Sequence, residues 1–505
     1  MLITILNYFL DLTFKIIAYL TMEYLQIPRD IPFFNKQNNK NFMSIEERIT
    51  NTPTHNSMYY MLDGYQPIVM ITDQKTADKL YKSDQYKTIS RNYPYLGYVM
   101  ERLLKHSIGV HYGKEWLEMK KPLARFFNTQ SVKNNFPKIV DKTKKWTNTL
   151  TDGCSLNFLQ NCSHSLQNLN LDLLTIKIMS EIIYGELNDS QIDQLHKLSL
   201  VHNDMMKIMG TDKGLRIKFF NNFCQFFNID HASLENKRKV DSFWNQWCEF
   251  NDSIQLTNKS TNQLSGKTNA NTLYETMITD QRYSENKLEF YQTLYEIMLF
   301  NLDIMIDAFA NLIWNISTNQ EVKEKICREI VNIVPNIENI NVDKINELTY
   351  LQSVINESAR LNPGIVATFA ETLNETLCLN NCTLHKGTLF SLDTQMINRD
   401  PSIWKDPNKF DPSRFEFSVD GKIDDKIDNK INSKSKESLF HRFGMSPRKC
   451  MGNVFSNYIL KIGIVFLLST YDIQSIHENI QIEKINTIPN ISGCNMLNKI
   501  IFIKK

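Results

Sequence analysis

The sequence predicts a mainly helical α+β fold with small β-sheets, in which one large body begins at about residue 45. Apolar residues recur with helical periodicity in three long segments, 291–334, 341–361 and 453–470. Short runs with β-like composition occur at 67–72 and 388–392. These observations indicate a helix-rich body with minor sheets.

Composition limits the classes of function. The 505 residues are 42% hydrophobic, which is enough to bury a large core. With 57 basic and 55 acidic residues the net charge is only +2, so nothing suggests nucleic-acid binding as the main function. The 9 cysteines are odd in number and have no repeating spacing, which argues against a secreted disulfide framework. Cys378 and Cys382 lie four apart, but no second close pair completes a zinc site.

The N-terminal segment 1–22 is predicted to be a membrane anchor helix, followed by a hinge at 23–44. Residues 2–21 are about long enough to cross a bilayer, and no small-residue cleavage site follows them. Asp11 and Lys15 each cost about 3 kcal/mol at a membrane centre, although they are one helical turn apart and could pair. The alternative is an amphipathic helix that lies on a membrane or on the protein itself.

Two polar segments are predicted to be solvated loops. One is 251–271, which is rich in Asn, Ser, Thr and Gln. The other is 419–438, a low-complexity run with a loose Lys-Ile-Asp repeat. The second segment is too polar to pack well, and we interpret it as a surface insertion without chemistry.

The segment 443–452, FGMSPRKCMG, carries the strongest chemical signal. Gly444 and Pro447 require an irregular backbone, and Cys450 then precedes a strongly apolar helix. The unpaired N–H groups and positive dipole at a helix start stabilise a thiolate, and Arg448 adds positive charge nearby. Such a cysteine could be a nucleophile, a redox thiol or a metal ligand, although a cysteine viewed alone is more often a small buried hydrophobe.

This segment resembles the cysteine-ligand loop of the cytochrome P-450 family, whose pattern is Phe-Gly-x-Gly-x-Arg-x-Cys-x-Gly. The matching positions are Phe443, Gly444, Arg448, Cys450 and Gly452. Ser446 stands where a glycine is usual. The resemblance implies the cytochrome P-450 fold, with one large haem domain over 45–505. It also implies haem b with Cys450 as the axial iron ligand, Arg448 paired with a haem propionate, and Phe443 shielding the sulfur.

A second motif supports the resemblance. Glu357 and Arg360 are three apart on a predicted helix, which alone suggests only an ordinary surface ion pair. Arg414 follows about fifty residues later, in FDPSRF. The resemblance implies that these three side chains form a buried network behind the haem, where every charge must be satisfied.

The segment HYGKEWLEMKK contains Trp116 and, one helical turn later, Lys120. It resembles the family's helix that meets the haem propionates through a Trp and an Arg, so both residues are predicted to contact the cofactor. Lysine keeps the charge of arginine but loses its bidentate fork. Taken alone, the two residues suggest only a core position for Trp116 and a surface position for Lys120.

Glu371 stands where the family usually has another propionate-binding arginine, and a carboxylate there would repel a propionate.

The apolar segment FNLDIMIDAFANLIWN resembles the family's long helix above the haem, which usually has a glycine and then an acid followed by threonine. Asn301 falls on the glycine, Asp303 on the acid and Ile304 on the threonine. When the segment is aligned from Trp314 instead, Asp307 falls near the acid. An acid–alcohol pair can relay protons, so Asp303 is predicted to be the catalytic acid. The alternative is that one or both carboxylates face solvent or another part of the core.

The resemblance implies a monooxygenase that inserts one oxygen atom from O2 into a small lipophilic substrate. NADPH would supply electrons indirectly, through a membrane flavoprotein reductase that docks on a basic face near the cysteine. The candidate cations of that face are Lys120, Lys121, Arg442 and Lys449. A single-pass anchor implies contact with membrane lipids, in the endoplasmic reticulum, with the haem domain facing the cytosol.

Two other functions remain open from the sequence. The missing threonine favours a haem-thiolate isomerase or dehydratase that needs no reductase, and a non-catalytic haem-binding protein is the third hypothesis. Pocket residues are expected from the variable loops 93–110 and 205–225, from the helix at 299–310 and from Phe369. Apolar side chains there predict a hydrophobic ligand without naming it.

Overall fold

The computed structural model of the chain describes residues 2–25, 54, 57–63, 66–82, 97–152, 155–157, 171–227, 229, 231–265, 272–416, 440, 442–444, 448–476 and 499–505. The predicted insertion at 419–438 and most of the predicted hinge lie outside the described residues.

Helices make up most of the described structure. In chain order they are α1 Leu2–Tyr24, α2 Gln74–Lys82, α3 Gly97–Leu104, α4 Gly113–Phe126, α5 Thr129–Thr149, α6 Leu171–Ile183, α7 Asp189–Thr211, α8 Lys218–Phe226, α9 Ala232–Ser265, α10 Leu273–Thr279, α11 Gln281–Glu285, α12 Lys287–Tyr295, α13 Leu302–Thr318, α14 Gln320–Ile333, α15 Val342–Glu347, α16 Thr349–Leu361, α17 Thr394–Ile397 and α18 Asn453–Thr470. A π-helical turn, Glu296–Phe300, separates α12 from α13. Short 3₁₀ turns occupy Gly214–Arg216, Ile337–Asn339 and Pro412–Phe415.

The strands are short, which confirms the predicted α+β class with small sheets. They are β1 Met58–Asp63, β2 Gln66–Ile71, β3 Ser155–Asn157, β4 Glu371–Thr372, β5 Leu377–Leu379, β6 Cys382–Leu384, β7 Leu389–Leu392, β8 Tyr471–Ile476 and β9 Lys499–Lys504. The chain divides into two compact units. The first comprises 1–123, 179–301 and 367–393, and the second comprises 124–178, 302–366 and 394–505.

The first unit contains a four-stranded sheet in the order β1-β2-β7-β4. β1 and β2 form an antiparallel hairpin, and β2 pairs in parallel with β7, with Ile68 opposite Leu389. These two central strands are the β-like runs predicted from the sequence. Their side chains are almost entirely buried, as strands covered on both faces require.

The long helix α9 corrects one prediction, because residues 251–265 are helical and not a loop. Between Ala232 and Ser265 the sequence contains no glycine or proline, so nothing interrupts a helix once it has begun. The first half of the helix is anchored by its buried face, since Phe243 and Trp247 are 1% and 0% exposed. Burial of this aromatic face outweighs the weak helix propensity of the polar residues that follow.

The second unit contains a three-stranded antiparallel sheet in the order β3-β9-β8. Its core is built around α18, which packs against α5 and is buried along most of its length. Gly463 lets the α18 backbone approach the Phe309 ring of α13, since a methyl group there would clash with that ring. This close packing holds α18 in place, and the start of α18 positions the candidate site.

Within the described residues, three helical stretches are long and apolar enough to cross a membrane by length and composition. Two of them, 287–318 and 453–470, are each 67% buried within the protein, so burial in the fold accounts for their apolar character. The third, Ile5–Tyr24, is only 17% buried. It is therefore the stretch that remains compatible with the predicted membrane anchor.

Candidate functional site

Cys450 lies at the end of a loop, immediately before α18. Its backbone N–H donates to the carbonyl of Phe443 at 2.9 Å, which closes the loop. The side-chain amide of Asn453 donates to the carbonyl of Cys450 at 2.6 Å. The cysteine is exposed, so its thiol is accessible to a ligand. Residues 445–447 of the loop lie outside the described part of the chain.

Two glycines leave room around the loop. Gly444 has a φ of +77°, in the left-handed region that favours glycine, and a methyl group there would meet no atom of the described residues within 4 Å. A methyl group at Gly452 would lie 3.7 Å from Cys450 Sγ, in ordinary van der Waals contact. Arg448 is half-buried two positions before Cys450, and Lys449 is exposed. The loop thus presents a thiol, an open space and two cations.

Arg442 holds this loop against two helices. Its Nη1 donates to Asn457 Oδ1 of α18 at 2.7 Å and to Asn356 Oδ1 of α16 at 3.4 Å. The guanidinium carbon lies 4.6 Å from the centre of the Phe443 ring, and burial lowers the pKa of Arg442 to about 10. Arg442 therefore makes these hydrogen bonds inside the fold, whereas Lys449 is exposed.

Aromatic packing fixes the first turn of α18. Phe455 is 3% exposed and stacks on Phe126, with ring centres 6.2 Å apart. Three residues later, Tyr458 meets Phe136 of α5 edge-on, with ring centres 6.4 Å apart. Because Cys450 directly precedes this helix, the same packing positions its thiol.

Glu357 and Arg360 of α16 form a buried ion pair that Arg414 joins. Arg360 donates from Nε to Oε2 and from Nη2 to Oε1 of Glu357, both at 2.7 Å, and neither side chain is exposed. Arg414 Nε donates to Glu357 Oε1 at 3.3 Å, and the Arg414 side chain is 11% exposed. The structure thus brings together the three residues that the family resemblance implied would form one network.

Backbone groups satisfy the other atoms of this network. Arg360 Nη1 donates to the carbonyls of Asn398 and Pro407 at 2.8 and 2.7 Å. The backbone N–H of Asp411 donates to Glu357 Oε1 at 2.9 Å. Buried charges are tolerated only when their hydrogen-bonding groups are satisfied. The network therefore connects α16 to the irregular segment that contains Asn398, Pro407 and Asp411.

Two carboxylates lie one turn apart near the start of α13. Asp307 is 6% exposed and Asp303 is half-buried. Burial raises the pKa of Asp303 to about 6. Burial, together with the charge of Asp303, raises the pKa of Asp307 well above its ordinary value. Both groups therefore hold a proton more readily than ordinary aspartates do.

These carboxylates begin a polar stripe along α13 that the motifs did not indicate. Asn311 and Asn315 follow at intervals of four residues and are 3% and 6% exposed. Residues spaced in this way share one helical face. Asn315 Nδ2 donates to Ser358 Oγ of α16 at 3.0 Å. The recurrence of polar residues every fourth position in an apolar helix is the sequence signal that could have revealed the stripe.

Asn301 and Ile304 occupy the positions at which the family usually has a glycine and a threonine. Asn301 is exposed after the π-helical turn, and its Nδ2 donates to the carbonyl of Glu296 at 2.6 Å. Ile304, at the expected threonine position, packs against Gly364, where a methyl group would lie 2.8 Å from Ile304 Cγ2. An aliphatic group therefore stands next in sequence to Asp303, where an alcohol was expected.

Trp116 and Lys120 lie on α4. Lys120 Nζ lies 4.6 Å from the centre of the Trp116 ring, within the range of a cation–π contact. Trp116 is 8% exposed and Lys120 is half-buried. Lys121, the next residue, is exposed. The two predicted cofactor contacts therefore form one local pair.

Glu371 and Phe369 both belong to the first unit. Glu371 in β4 is 4% exposed, and the Tyr81 hydroxyl donates to its Oε2 at 3.1 Å. This bond gives the carboxylate a partner within its own unit.

Phe369, predicted to line the pocket, stacks on Phe300 with ring centres 5.8 Å apart.

The surroundings of Cys450 fit a haem iron. A thiolate before an apolar helix is stabilised by the backbone N–H groups of that helix. Among the described residues, no group of three His, Cys, Asp or Glu side chains could hold a metal ion. The exposed thiol of Cys450 can supply the one protein ligand that a thiolate-bound haem iron takes.

Comparisons with known proteins address the family and the fold of the chain. The family model described as Cytochrome P450 matches residues 26–494. Cytochrome P450 monooxygenase PUL2 of Kluyveromyces lactis is 24% identical over 466 residues, covering 86% of this chain and 82% of that protein. Cytochrome P450 3A40 of Oryzias latipes is 23% identical over 457 residues, with coverages of 88% and 85%. The solved structure of retinoic acid bound cyanobacterial CYP120A1 has a TM-score of 0.68 at 14% identity, covers 96% of both chains, and shows the same fold.

Proposed function

We propose that this chain, which belongs to the cytochrome P450 family, is a haem-thiolate monooxygenase that inserts one oxygen atom from O2 into a lipophilic organic substrate. The observation that carries this proposal is the exposed Cys450, held directly before α18 by its bond to the Phe443 carbonyl. The fully buried pair of Glu357 and Arg360 in the same unit supports it.

Residues of the cysteine loop would hold haem b. Cys450 would be the axial ligand, Arg448 would pair with a propionate, and Phe443 and Gly444 would border the sulfur. A haem with a thiolate ligand supplies the activation of O2. By the resemblance of their helix, Trp116 and Lys120 would contact a propionate through the indole N–H and the ammonium group.

Asp303 would supply protons from its carboxyl oxygens. With a pKa of about 6, this group is partly protonated near neutral pH and can both release and regain a proton. Ile304 offers no hydroxyl for the next transfer, so a water molecule or a substrate hydroxyl would have to carry the proton. Asp307, one turn further on, is a second carboxyl whose pKa is raised by burial and by the charge of Asp303.

Electrons would come from NADPH through a membrane flavoprotein reductase. The exposed Lys449, next to Cys450, offers a positive charge for an acidic partner. The apolar, little-buried helix α1 would attach the chain to lipids of the endoplasmic reticulum, with the haem domain in the cytosol.

One observation favours a second candidate function. The aliphatic Ile304 would not hinder a haem-thiolate isomerase or dehydratase, since such an enzyme rearranges its substrate without reducing O2. Addition of a lipophilic substrate to the holoenzyme with reductase should stimulate NADPH oxidation in a monooxygenase. Turnover of a hydroperoxide without reductase, and no stimulated NADPH oxidation, would identify the second function instead.

The haem ligand is tested by spectroscopy of the full chain. The reduced, carbon monoxide-treated holoprotein should show the optical signature of thiolate ligation, and Cys450→Ser should abolish it. Cys378→Ser is the matched control, because Cys378 is also exposed but lies in the β5 strand. An unchanged spectrum in Cys450→Ser would overturn the proposal.

A further inference from the structure

A buried hydrogen bond joins Tyr295 of α12 to His202 of α7. The Tyr295 hydroxyl oxygen lies 2.8 Å from Nδ1 of the imidazole, and neither residue is more than 1% exposed. The two rings also meet edge-on, with centres 5.5 Å apart. Burial lowers the pKa of His202 to about 3, so the imidazole is neutral and can accept a hydrogen bond. A phenol and a base are thus paired inside the first unit.

This pair lies beside aromatic residues that were expected to line the substrate pocket. The ring centre of Phe300 is 6.5 Å from that of Tyr295 and 6.3 Å from that of His202. Phe300 in turn stacks on Phe369. All four residues belong to the first unit. The pair is therefore one ring away from the expected pocket, although neither of its residues has a role in the proposed reaction.

A buried tryptophan of α9 connects Tyr295 to a second tyrosine of α12. The ring centre of Trp247 lies 6.0 Å from that of Tyr295, and Trp247 is 0% exposed. Its indole N–H donates to the backbone carbonyl of Tyr291 at 3.0 Å. Tyrosine and tryptophan are among the side chains that lose one electron most readily, and neighbouring rings exchange electrons rapidly. Tyr295, Trp247 and Tyr291, which we call the aromatic relay, therefore form a continuous series of oxidisable residues.

The Tyr291 end of the aromatic relay is linked to solvent. The Tyr291 hydroxyl donates to Asp252 Oδ1. The Asp252 side chain is 43% exposed and pairs with Lys287 at 2.8 Å. An exposed carboxylate is ionised at neutral pH and exchanges protons with water. Both tyrosines of the relay thus have a proton acceptor, which is a buried imidazole at one end and a solvent-accessible carboxylate at the other.

These acceptors make one-electron oxidation of the two tyrosines easier. An oxidised phenol is a far stronger acid than an imidazolium, so its proton moves to His202 Nδ1 even though burial disfavours a charged imidazole. Loss of the proton together with the electron leaves a neutral tyrosyl radical, so no charged phenol is left in the buried site. A bond that only satisfied two buried polar groups would require neither the ring of Trp247 nor the acceptor at Tyr291.

We propose that the aromatic relay carries oxidising equivalents away from the pocket when no substrate receives the activated oxygen, and that it thereby protects the enzyme. The inference rests on the proposed function, because that function supplies the oxidant, a haem oxidised beyond its ferric state. The reductant at the outer end is a small one-electron donor in solution, such as ascorbate.

Each step of this transfer moves one electron. Tyr295 gives an electron to the oxidant and its proton to His202 Nδ1, so an O–H bond breaks and an N–H bond forms. Trp247 then returns an electron to Tyr295, which takes its proton back from His202. Tyr291 next reduces Trp247 and passes its own proton to Asp252. Ascorbate finally returns one electron to Tyr291, which regains its proton from Asp252.

The first experiment detects the radical by electron paramagnetic resonance. Ferric full-length holoprotein without substrate is mixed with peracetic acid, which oxidises the haem directly, and is rapidly frozen. The sample should show a tyrosyl signal that ring-deuterated tyrosine narrows, and Tyr295→Phe should remove most of it. Tyr283→Phe is the matched control, since Tyr283 is 1% exposed but donates to the backbone carbonyl of Met119 at 3.3 Å, which takes up no proton. Equal signals from the two variants would overturn the inference.

Two further variants test the acceptor and the outward step. His202→Phe keeps a ring against Tyr295 and Phe300 but removes the proton acceptor, so the radical yield should fall severalfold although Tyr295 is present. Trp247→Phe removes the oxidisable neighbour, so the Tyr295 radical should decay more slowly in the presence of ascorbate. A bond with a purely structural role would change neither quantity in variants that still bind haem, and that result contradicts the relay.

Survival of the haem tests the protective role. During NADPH oxidation with reductase and without substrate, haem in Tyr295→Phe should bleach faster than haem in Tyr283→Phe or in the unsubstituted protein, and equal rates would overturn protection. The carbon monoxide spectrum of the same samples separates this inference from the proposed function. Thiolate ligation without a Tyr295 radical contradicts the relay alone, whereas a missing thiolate signature contradicts the proposed function, on which the oxidant depends.

Discussion

Arg360 donates two hydrogen bonds to Glu357, each 2.7 Å long, and neither side chain has exposed surface. The two charges lie three residues apart on α16, so the helix itself presents them to each other. Backbone carbonyls at Asn398 and Pro407 complete the shell of Arg360. The pair therefore connects α16 to an irregular segment that lies later in the sequence, around Asn398 and Pro407.

We expect Glu357→Gln to lower the free energy of unfolding by about 3–5 kcal/mol, because it leaves the Arg360 charge buried and uncompensated. Denaturant unfolding of the purified holoprotein would measure this. Lys144→Ala is the control, since Lys144 pairs with Glu338 at 2.6 Å while the two side chains are 44% and 61% exposed. That exposed pair should contribute less than about 1 kcal/mol. If both variants lowered the free energy of unfolding equally, burial would not be what makes the Glu357–Arg360 pair strong.

The Asp303 carboxyl predicts a pH-dependent stability. Its folded pKa of about 6 lies above the ordinary value of 3.8, so the folded chain binds this proton more tightly than the unfolded chain. The corresponding stability is present below pH 3.8 and is lost as the pH rises through about 6. Asp303→Asn should therefore be more stable than the unsubstituted protein at about pH 7.5, by about 1–3 kcal/mol, with the difference closing near pH 4.

Unfolding free energies at both pH values would test this expectation. The control is Asp193→Asn, since the Asp193 side chain is 61% exposed on α7. A stability difference for Asp303→Asn that did not change with pH would mean that the carboxyl has the same proton affinity in the folded and unfolded chain.

The residues of the cysteine loop and of the Glu357–Arg360–Arg414 network were singled out through the family resemblance, because short motifs in the sequence carry that resemblance. It also placed the main helices and the two central strands of the four-stranded sheet, since apolar periodicity reports burial directly. Those features depend on residues close together in the chain or on a single repeating pattern.

The remaining features depend on partners far apart in sequence. Asp11 pairs with Lys213, and Glu371 accepts from Tyr81, across 202 and 290 residues respectively. No local pattern specifies such partners. The helical state of 251–265 was missed for a related reason. Helix propensity describes this segment in isolation, whereas tertiary packing of the first half of α9 decides that the segment is helical.

Lys120 offers a test of the proposed propionate contact. Lys120→Met removes the charge and should release haem to an acceptor protein up to about fivefold faster, as expected for an ion pair worth at most about 1 kcal/mol. Lys120→Arg keeps the charge and should retain haem. The control is Lys121→Met, which removes the charge of the neighbouring exposed residue on the same helix. Equal rates of haem release in both methionine variants would contradict a specific role for Lys120.

The aliphatic side chain at position 304 provides the sharpest test of the proposed reaction. Ile304→Thr places a hydroxyl next in sequence to Asp303 and keeps a branched side chain against Gly364. If proton transfer limits a monooxygenase, this variant should direct a larger fraction of NADPH electrons into oxygenated product and a smaller fraction into hydrogen peroxide. Ile304→Val is the matched control, because valine has the shape of threonine without its hydroxyl.

The two variants separate chemistry from packing. A gain in Ile304→Thr alone would assign proton delivery to the helix face that carries Asp303. Equal coupling in both variants would show that the hydroxyl adds nothing to the existing route. Substrate conversion that proceeds without NADPH oxidation in the unsubstituted enzyme would instead identify the isomerase or dehydratase, for which an alcohol at this position has no function.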